Sequence, residues 1–222
     1  VRRGVELRSS DHPNVVRTRE IRDHGDFGTV VMDLVDGRTL SEIGAARSGP
    51  GWVLSVGTQL ARALEHVHQR GVHHRDVRPV NLRVAADGNL VLLDFRLDLP
   101  MPRSLPPVGA DRWAWLAPEA GEGSGPADVY AWGQVLFELA TGRRAFAAGT
   151  LDEVLTAKRR VPQLDPGPGL PPAIRELVRR TTLLDPTRRP TATEVVSELI
   201  ELSSSRLVAI ARAAPNQPFA SA

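Results

Sequence analysis

The chain has 222 residues, of which 41% are hydrophobic, enough for one compact domain with a substantial core and too few for two full-sized ones. The absence of cysteine excludes disulfides and thiolate metal sites, and no apolar run approaches the roughly 18 residues of a membrane span. The net charge is +2, the basic residues are scattered and aromatics make up 5%, a pattern that argues against a nucleic-acid surface; the only lysine among the cations is Lys158.

In chain order, Val15 to Ile21 and Thr29 to Met32 read as apolar strands around the turn Asp23-His24-Gly25-Asp26-Phe27-Gly28, a hairpin. Thr39-Leu40-Ser41-Glu42 carries a capping-box pattern. After Pro50-Gly51, Val53, Val56, Leu60, Leu64 and Val67 recur at helical spacing until Gly71 closes the helix. Leu82 to Ala85 and Leu90 to Asp94 flank the turn Ala86-Asp87-Gly88-Asn89, a second hairpin. The proline-rich stretch Leu99 to Pro107 predicts an extended surface loop. Beyond Pro126 the pattern is mostly helical, with capping boxes at Thr150-Glu153 and Thr191-Glu194, and from about Ser203 the residues become small and polar, as in a frayed tail.

The most specific signal is His74-Arg75-Asp76-Val77-Arg78-Pro79-Val80-Asn81, followed by Asp94-Phe95, on a strand-turn-strand background. Phosphoryl transfer from a nucleotide needs a carboxylate to accept the substrate hydroxyl proton, plus an amide oxygen and a second carboxylate to hold metal ions on the phosphates. Asp76, Asn81 and Asp94 supply that set. Ala117-Pro118-Glu119, Asp128-Val129-Tyr130-Ala131-Trp132-Gly133 and Arg189 follow in order, and with them the chain resembles the eukaryotic-type serine/threonine protein kinase family from about Asp11 to Leu202.

The resemblance implies an α+β, protein-kinase-like fold: residues 1–35 as a remnant of the small N-terminal lobe (a helix end plus a β-hairpin), 36–202 as the mainly α-helical large lobe, and 203–222 as a flexible tail. It implies Asp76 as catalytic base with Arg78 in place of the family lysine, and Asn81 and Asp94 as magnesium ligands. Met32, Asp33 and Val35 fall at the gatekeeper and hinge, with Arg83 on the adenine side. His74, Arg75, Glu119, Asp128 and Arg189 take structural roles: Glu119 pairs with Arg189, and Asp128 accepts from the His74-Arg75 backbone.

Against this set stand several departures. Only 11 residues precede His12, so the family's glycine-rich loop and strand lysine are expected to be missing, and the helix glutamate position falls on Arg3 or Gly4, with Glu6 displaced. Lys158 lies far downstream, in a helix start. Arg96 replaces the glycine after Asp94-Phe95, Arg83 replaces an apolar residue, and Arg112 stands where similar kinases carry a threonine. Asp26-Phe27-Gly28 spells the metal tripeptide in the wrong place and reads as a turn. His66 and His68 point to different helix faces and with His73 and His74 make no zinc site. Trp113 and Trp115 read equally as a docking surface or as buried filler.

The expectation is therefore a catalytically impaired, pseudokinase-like domain acting in binding or regulation, in the cytoplasm, with no cofactor bound. Its rivals are an active kinase using ATP and magnesium on a protein substrate, and a fragment of one. A protein partner or substrate is expected, with no nucleic acid and no membrane. Asp76 is expected to face an open, solvated cleft.

Overall fold

The structure, a computed structural model, describes residues 11–25, 27–44, 49–96, 110–119 and 123–213, and for residues 110 and 205–213 the backbone alone. The loop expected at Leu99–Pro107, the turn residue Asp26 and the segment holding Arg3, Gly4 and Glu6 lie outside the described residues.

The first hairpin forms where the alternation predicts it, from β1 (Thr18–Asp23) and β2 (Gly28–Met32), with Ile21 opposite Val30 and a bulge between Thr18 and Glu20. Gly25 takes φ +83 at the turn, which a side chain would resist. Next, β3 (Arg38–Thr39) leads into α1 (Leu40–Ile43), whose capping box joins Thr39 and Glu42 as expected. The second hairpin, β4 (Leu82–Val84) and β5 (Leu90–Leu92), pairs with β3 in a three-stranded antiparallel sheet of order β3-β4-β5. Asn14, in the segment before β1, ties that segment to β5 and α2 (Pro50–His68), donating to Leu90 O at 2.8 Å and to Gln59 Oε1 at 3.1 Å.

The remaining elements are helical: α2 (Pro50–His68), α3 (Ala110–Trp113), α4 (Gly125–Thr141), α5 (Leu151–Arg159), α6 (Pro172–Thr181) and α7 (Ala192–Ala213). The apolar stripe of α2 at Val53, Val56, Leu60, Leu64 and Val67 is buried, because α4 and α7 both pack on it. Helix α4 is covered on nearly every side from Asp128 to Leu136, and its buried Trp132 donates to Gly57 O at 2.8 Å. Where α4 meets α6, a Cβ on Gly133 would lie 2.5 Å from Thr181 Oγ1, so the helices approach through a glycine. The framework is α+β with the helices dominant.

The tail expected from residue 203 is instead helix through Ala213. Ser203 turns its hydroxyl back to Leu199 O at 2.9 Å, and Leu199 and Leu202 pack on the core, which outweighs the polar run. Leu64, buried at the α2 interface, should cost about 2–5 kcal/mol when changed to alanine, whereas Ile200→Ala on the exposed face of α7 should stay within about 0.5 kcal/mol; urea denaturation of the two variants measures both.

Candidate active site

The site is assembled on a buried carboxylate. Asp128, in the first turn of α4, accepts the backbone N–H of His74 at 2.7 Å and of Arg75 at 2.8 Å, and meets His68 Nε2 at 2.9 Å. Arg75 has φ +67, a conformation an arginine adopts only under constraint, and those two N–H bonds supply it. His74 is fully buried between two bonds: its Nε2 faces Leu93 O at 2.6 Å and its Nδ1 faces the Asp76 N–H at 3.2 Å. An acceptor on one side and a donor on the other require the neutral imidazole protonated at Nε2, and burial lowers its pKa despite the nearby Asp128 carboxylate.

Asp76 and Asn81 come together as their shared motif implies. Asn81, closing the 3-10 turn Pro79–Asn81, donates through Nδ2 to Asp76 O at 2.8 Å and Oδ2 at 3.1 Å. The expected open surroundings of Asp76 are absent. Its side chain keeps only 15% exposure, because Arg112 Nε reaches Oδ1 at 2.9 Å from α3 and Arg78 Nε approaches Oδ2 at 3.3 Å. Arg112 is itself 7% exposed in its side chain. The pairing extends outward: Arg78 approaches Asp111 at 3.9 Å, and Arg144 joins Asp111 to Glu138, whose pKa burial raises. Alternating charges therefore staple α3 to the catalytic loop.

Asp94 is exposed with φ +58, and the next residue, Phe95, rests its ring 4.5 Å from that of His74. Arg96 lines the neighbouring cleft of about 820 Å³ with Arg75, Asp76, Arg112, Trp113 and Leu151. On the hinge side, the Met32, Asp33 and Val35 side chains are partly buried, and Asp33 pairs with Arg19 while its N–H donates to Arg17 O at 3.0 Å. Arg83, rather than lying under a base in need of an anion, donates to Val35 O at 3.1 Å and Gly37 O at 3.3 Å. The Arg83 guanidinium is thus held by the carbonyls of Val35 and Gly37.

Glu119 and Arg189 form a bidentate pair at 2.7 and 2.8 Å, with Arg189 0% and Glu119 27% exposed in their side chains. The other Arg189 donors reach Leu183 O, Leu184 O and Pro126 O, and the guanidinium lies 4.8 Å over the Tyr130 ring. Trp115 is buried and Trp113 only partly so. Of the histidines, His66 lies tilted against His12 with ring centroids 4.6 Å apart, while His68 is occupied by Asp128.

Lys158 is the residue that motif reasoning overlooked. It sits in the last turn of α5, not at a helix start, and is fully buried, its Nζ donating to Ala114 O, Leu116 O and Gln134 Oε1 at 2.6–2.8 Å. The available signal was its place four residues after Val154, on the buried face.

The profile of the Protein kinase domain family matches residues 5–199. The chain is 35% identical over 209 residues to the serine/threonine-protein kinase PkaA of Streptomyces coelicolor, covering 86% of this chain and 37% of that protein. It is 30% identical over 204 residues to the serine/threonine-protein kinase PrkC of Bacillus subtilis, covering 85% and 31%. It is thus similar to a part of each and spans about a third of their length.

Glu119→Ala strands a buried guanidinium and should cost about 3 kcal/mol, the low end for a buried pair because water reaches Glu119. Asp128→Ala leaves two backbone donors and a histidine without their acceptor and should cost about 3 kcal/mol or more. Chemical denaturation measures both; a parent-like midpoint for either variant contradicts its assigned role.

Proposed function

The chain belongs to the protein kinase domain family, and from that premise we propose that it is a catalytically impaired member, a pseudokinase acting by binding or regulation. Family membership carries with it ATP:protein serine/threonine phosphotransfer, ATP and magnesium in active members, and proteins as substrates. One observation carries the impaired reading: both carboxylate oxygens of Asp76 already accept from, or pair with, side chains of this chain. A substrate hydroxyl can reach the would-be base only by displacing the Arg112 guanidinium, which is nearly out of water and has Asp76 as its carboxylate partner. Geometry comes first in general-base catalysis, and here the place of the incoming proton donor is taken.

Two neighbouring features support the same reading. Arg83 donates to the hinge carbonyls where an apolar residue would lie under adenine, and Arg96 follows Asp94-Phe95 in place of a glycine that gives the backbone freedom. On this reading residues 1–35 belong to a small lobe and 36–202 to the large lobe, with Asp128, His74, Arg75, Glu119 and Arg189 preserved because they hold the loops whether or not chemistry takes place. The partner is a protein met in the cytoplasm.

The second reading, an active serine/threonine kinase or a piece of one, rests on the retained order of Asp76, Asn81 and Asp94. There Asp76 would serve as base beside Arg78, Asn81 and Asp94 would hold magnesium, and Met32, Asp33 and Val35 would border the base.

Thermal-shift titration with ATP and magnesium separates the two readings. No shift is expected, because a ligand at 100 times its dissociation constant stabilises the native state by about 2.7 kcal/mol and this site does not offer that binding. A saturable rise in melting temperature, together with transfer of labelled phosphate to a protein substrate that Asp76→Asn abolishes, would establish the active kinase instead.

A further inference from the structure

We propose that Lys158 is a positioning residue for one wall of the cleft, its ammonium gathering Ala114 O, Leu116 O and Gln134 Oε1 and thereby fixing the backbone that presents Trp113, Trp115 and Leu116 to the cavity. The role goes beyond the impaired-kinase reading, since it requires nothing of Asp76.

The geometry fits a cation with three donors. The three acceptors lie at 2.8, 2.6 and 2.8 Å from Nζ and come from two different elements, the segment after α3 and helix α4. Gln134 completes the cradle from the other side: its oxygen accepts from Lys158 while its Nε2 donates to Ala114 O at 3.3 Å and Trp115 O at 3.1 Å. The carbonyls of residues 114, 115 and 116 are thus all captured from beneath by one lysine and one glutamine. Above them the chain turns through Trp115 N–H to Arg112 O at 3.0 Å, so the same stretch also carries the arginine that clamps Asp76. Without the lysine, Leu116 O and Gln134 Oε1 would each lose a buried partner, which a fold tolerates only by moving the backbone toward water.

The charge is accommodated locally. Nζ lies 4.5 Å from the Phe146 ring centroid and 5.1 Å from that of Tyr130, whose hydroxyl burial keeps protonated. The other charged groups bearing on it are Glu119, which favours the ammonium, and Arg189, which opposes it. Burial outweighs Glu119 and pulls the lysine pKa from 10.5 down to about 7.

Hydrogen exchange on Lys158→Met, which keeps the apolar volume and removes the donors, tests the assignment. Amides of Ala114 to Ala117 should exchange at least about tenfold faster than in the parent while those of α2 keep their protection. Unchanged protection at Ala114 to Ala117, or an equal loss throughout α2 and α4, overturns the proposal in favour of simple core filling. A second measurement needs no variant. Because the chain has one lysine, a ¹⁵N-lysine sample gives a single side-chain signal, expected to show slowly exchanging protons; the fast exchange of a solvent-exposed ammonium also overturns the assignment.

Discussion

The functional half of this molecule hangs on the Asp128 carboxylate. A buried carboxylate is tolerated only when donors surround it, and here the donors are the consecutive backbone N–H groups of His74 and Arg75 together with His68. That requirement forces Arg75 into positive φ, which in turn sets the direction in which the chain delivers Asp76. His74 then locks the other side of the turn by bridging Leu93 O and the Asp76 N–H, tying the catalytic loop to the strand that leads to Asp94. None of these bonds involves a group that would change during phosphoryl transfer. The loop is held by its scaffold alone, and for that reason its presence says little about chemistry.

Arginine is the means by which this chain fills its own sites. Arg112 and Arg78 take the oxygens of Asp76, Arg83 takes the carbonyls of Val35 and Gly37, and Arg189 distributes its donors among Glu119 and three carbonyls. The planar guanidinium suits this use, since it is always charged and presents a rigid fork of donors that one carboxylate or several carbonyls can share. At Arg189 the result is purely architectural. At Arg112 the donors meet a carboxylate, and at Arg83 they meet two backbone carbonyls.

How much of this was legible in the sequence depends on how far apart the partners lie. The order of His74-Arg75-Asp76, Asn81, Asp94, Glu119, Asp128 and Arg189 could be read because it resembles the motif order of the protein kinase family. The hairpins and capping boxes are local and appear where the pattern puts them. The contact between Arg112 and Asp76 spans 36 residues, and no spacing rule says which way a guanidinium will fold across a turn, so Asp76 read as solvated. Lys158, placed at a helix start by the sequence reading, lies instead in the last turn of α5, four residues after Val154 on the buried face. The continuation of α7 past Ser203 is a tertiary effect, set by Leu199 and Leu202 against the core rather than by the serines.

A site whose charges are paired internally behaves differently from one awaiting a ligand. An active phosphotransferase leaves carboxylates and donors poised for groups that arrive with the substrate, and that open arrangement weakens the empty fold. Here the carboxylate of Asp76 and the guanidinium of Arg112 would each lose a largely desolvated partner on separation, so the self-paired state is the low-energy one and any incoming group must compete with it. The alternating pairs from Asp76 through Arg78, Asp111 and Arg144 to Glu138 spread that competition over α3 and the end of α4. What remains available is the surface shaped by those pairs: a cleft whose walls are fixed from behind by Asp128, Arg189 and Lys158. Walls held from behind in this way keep their shape whether or not a ligand occupies the cleft.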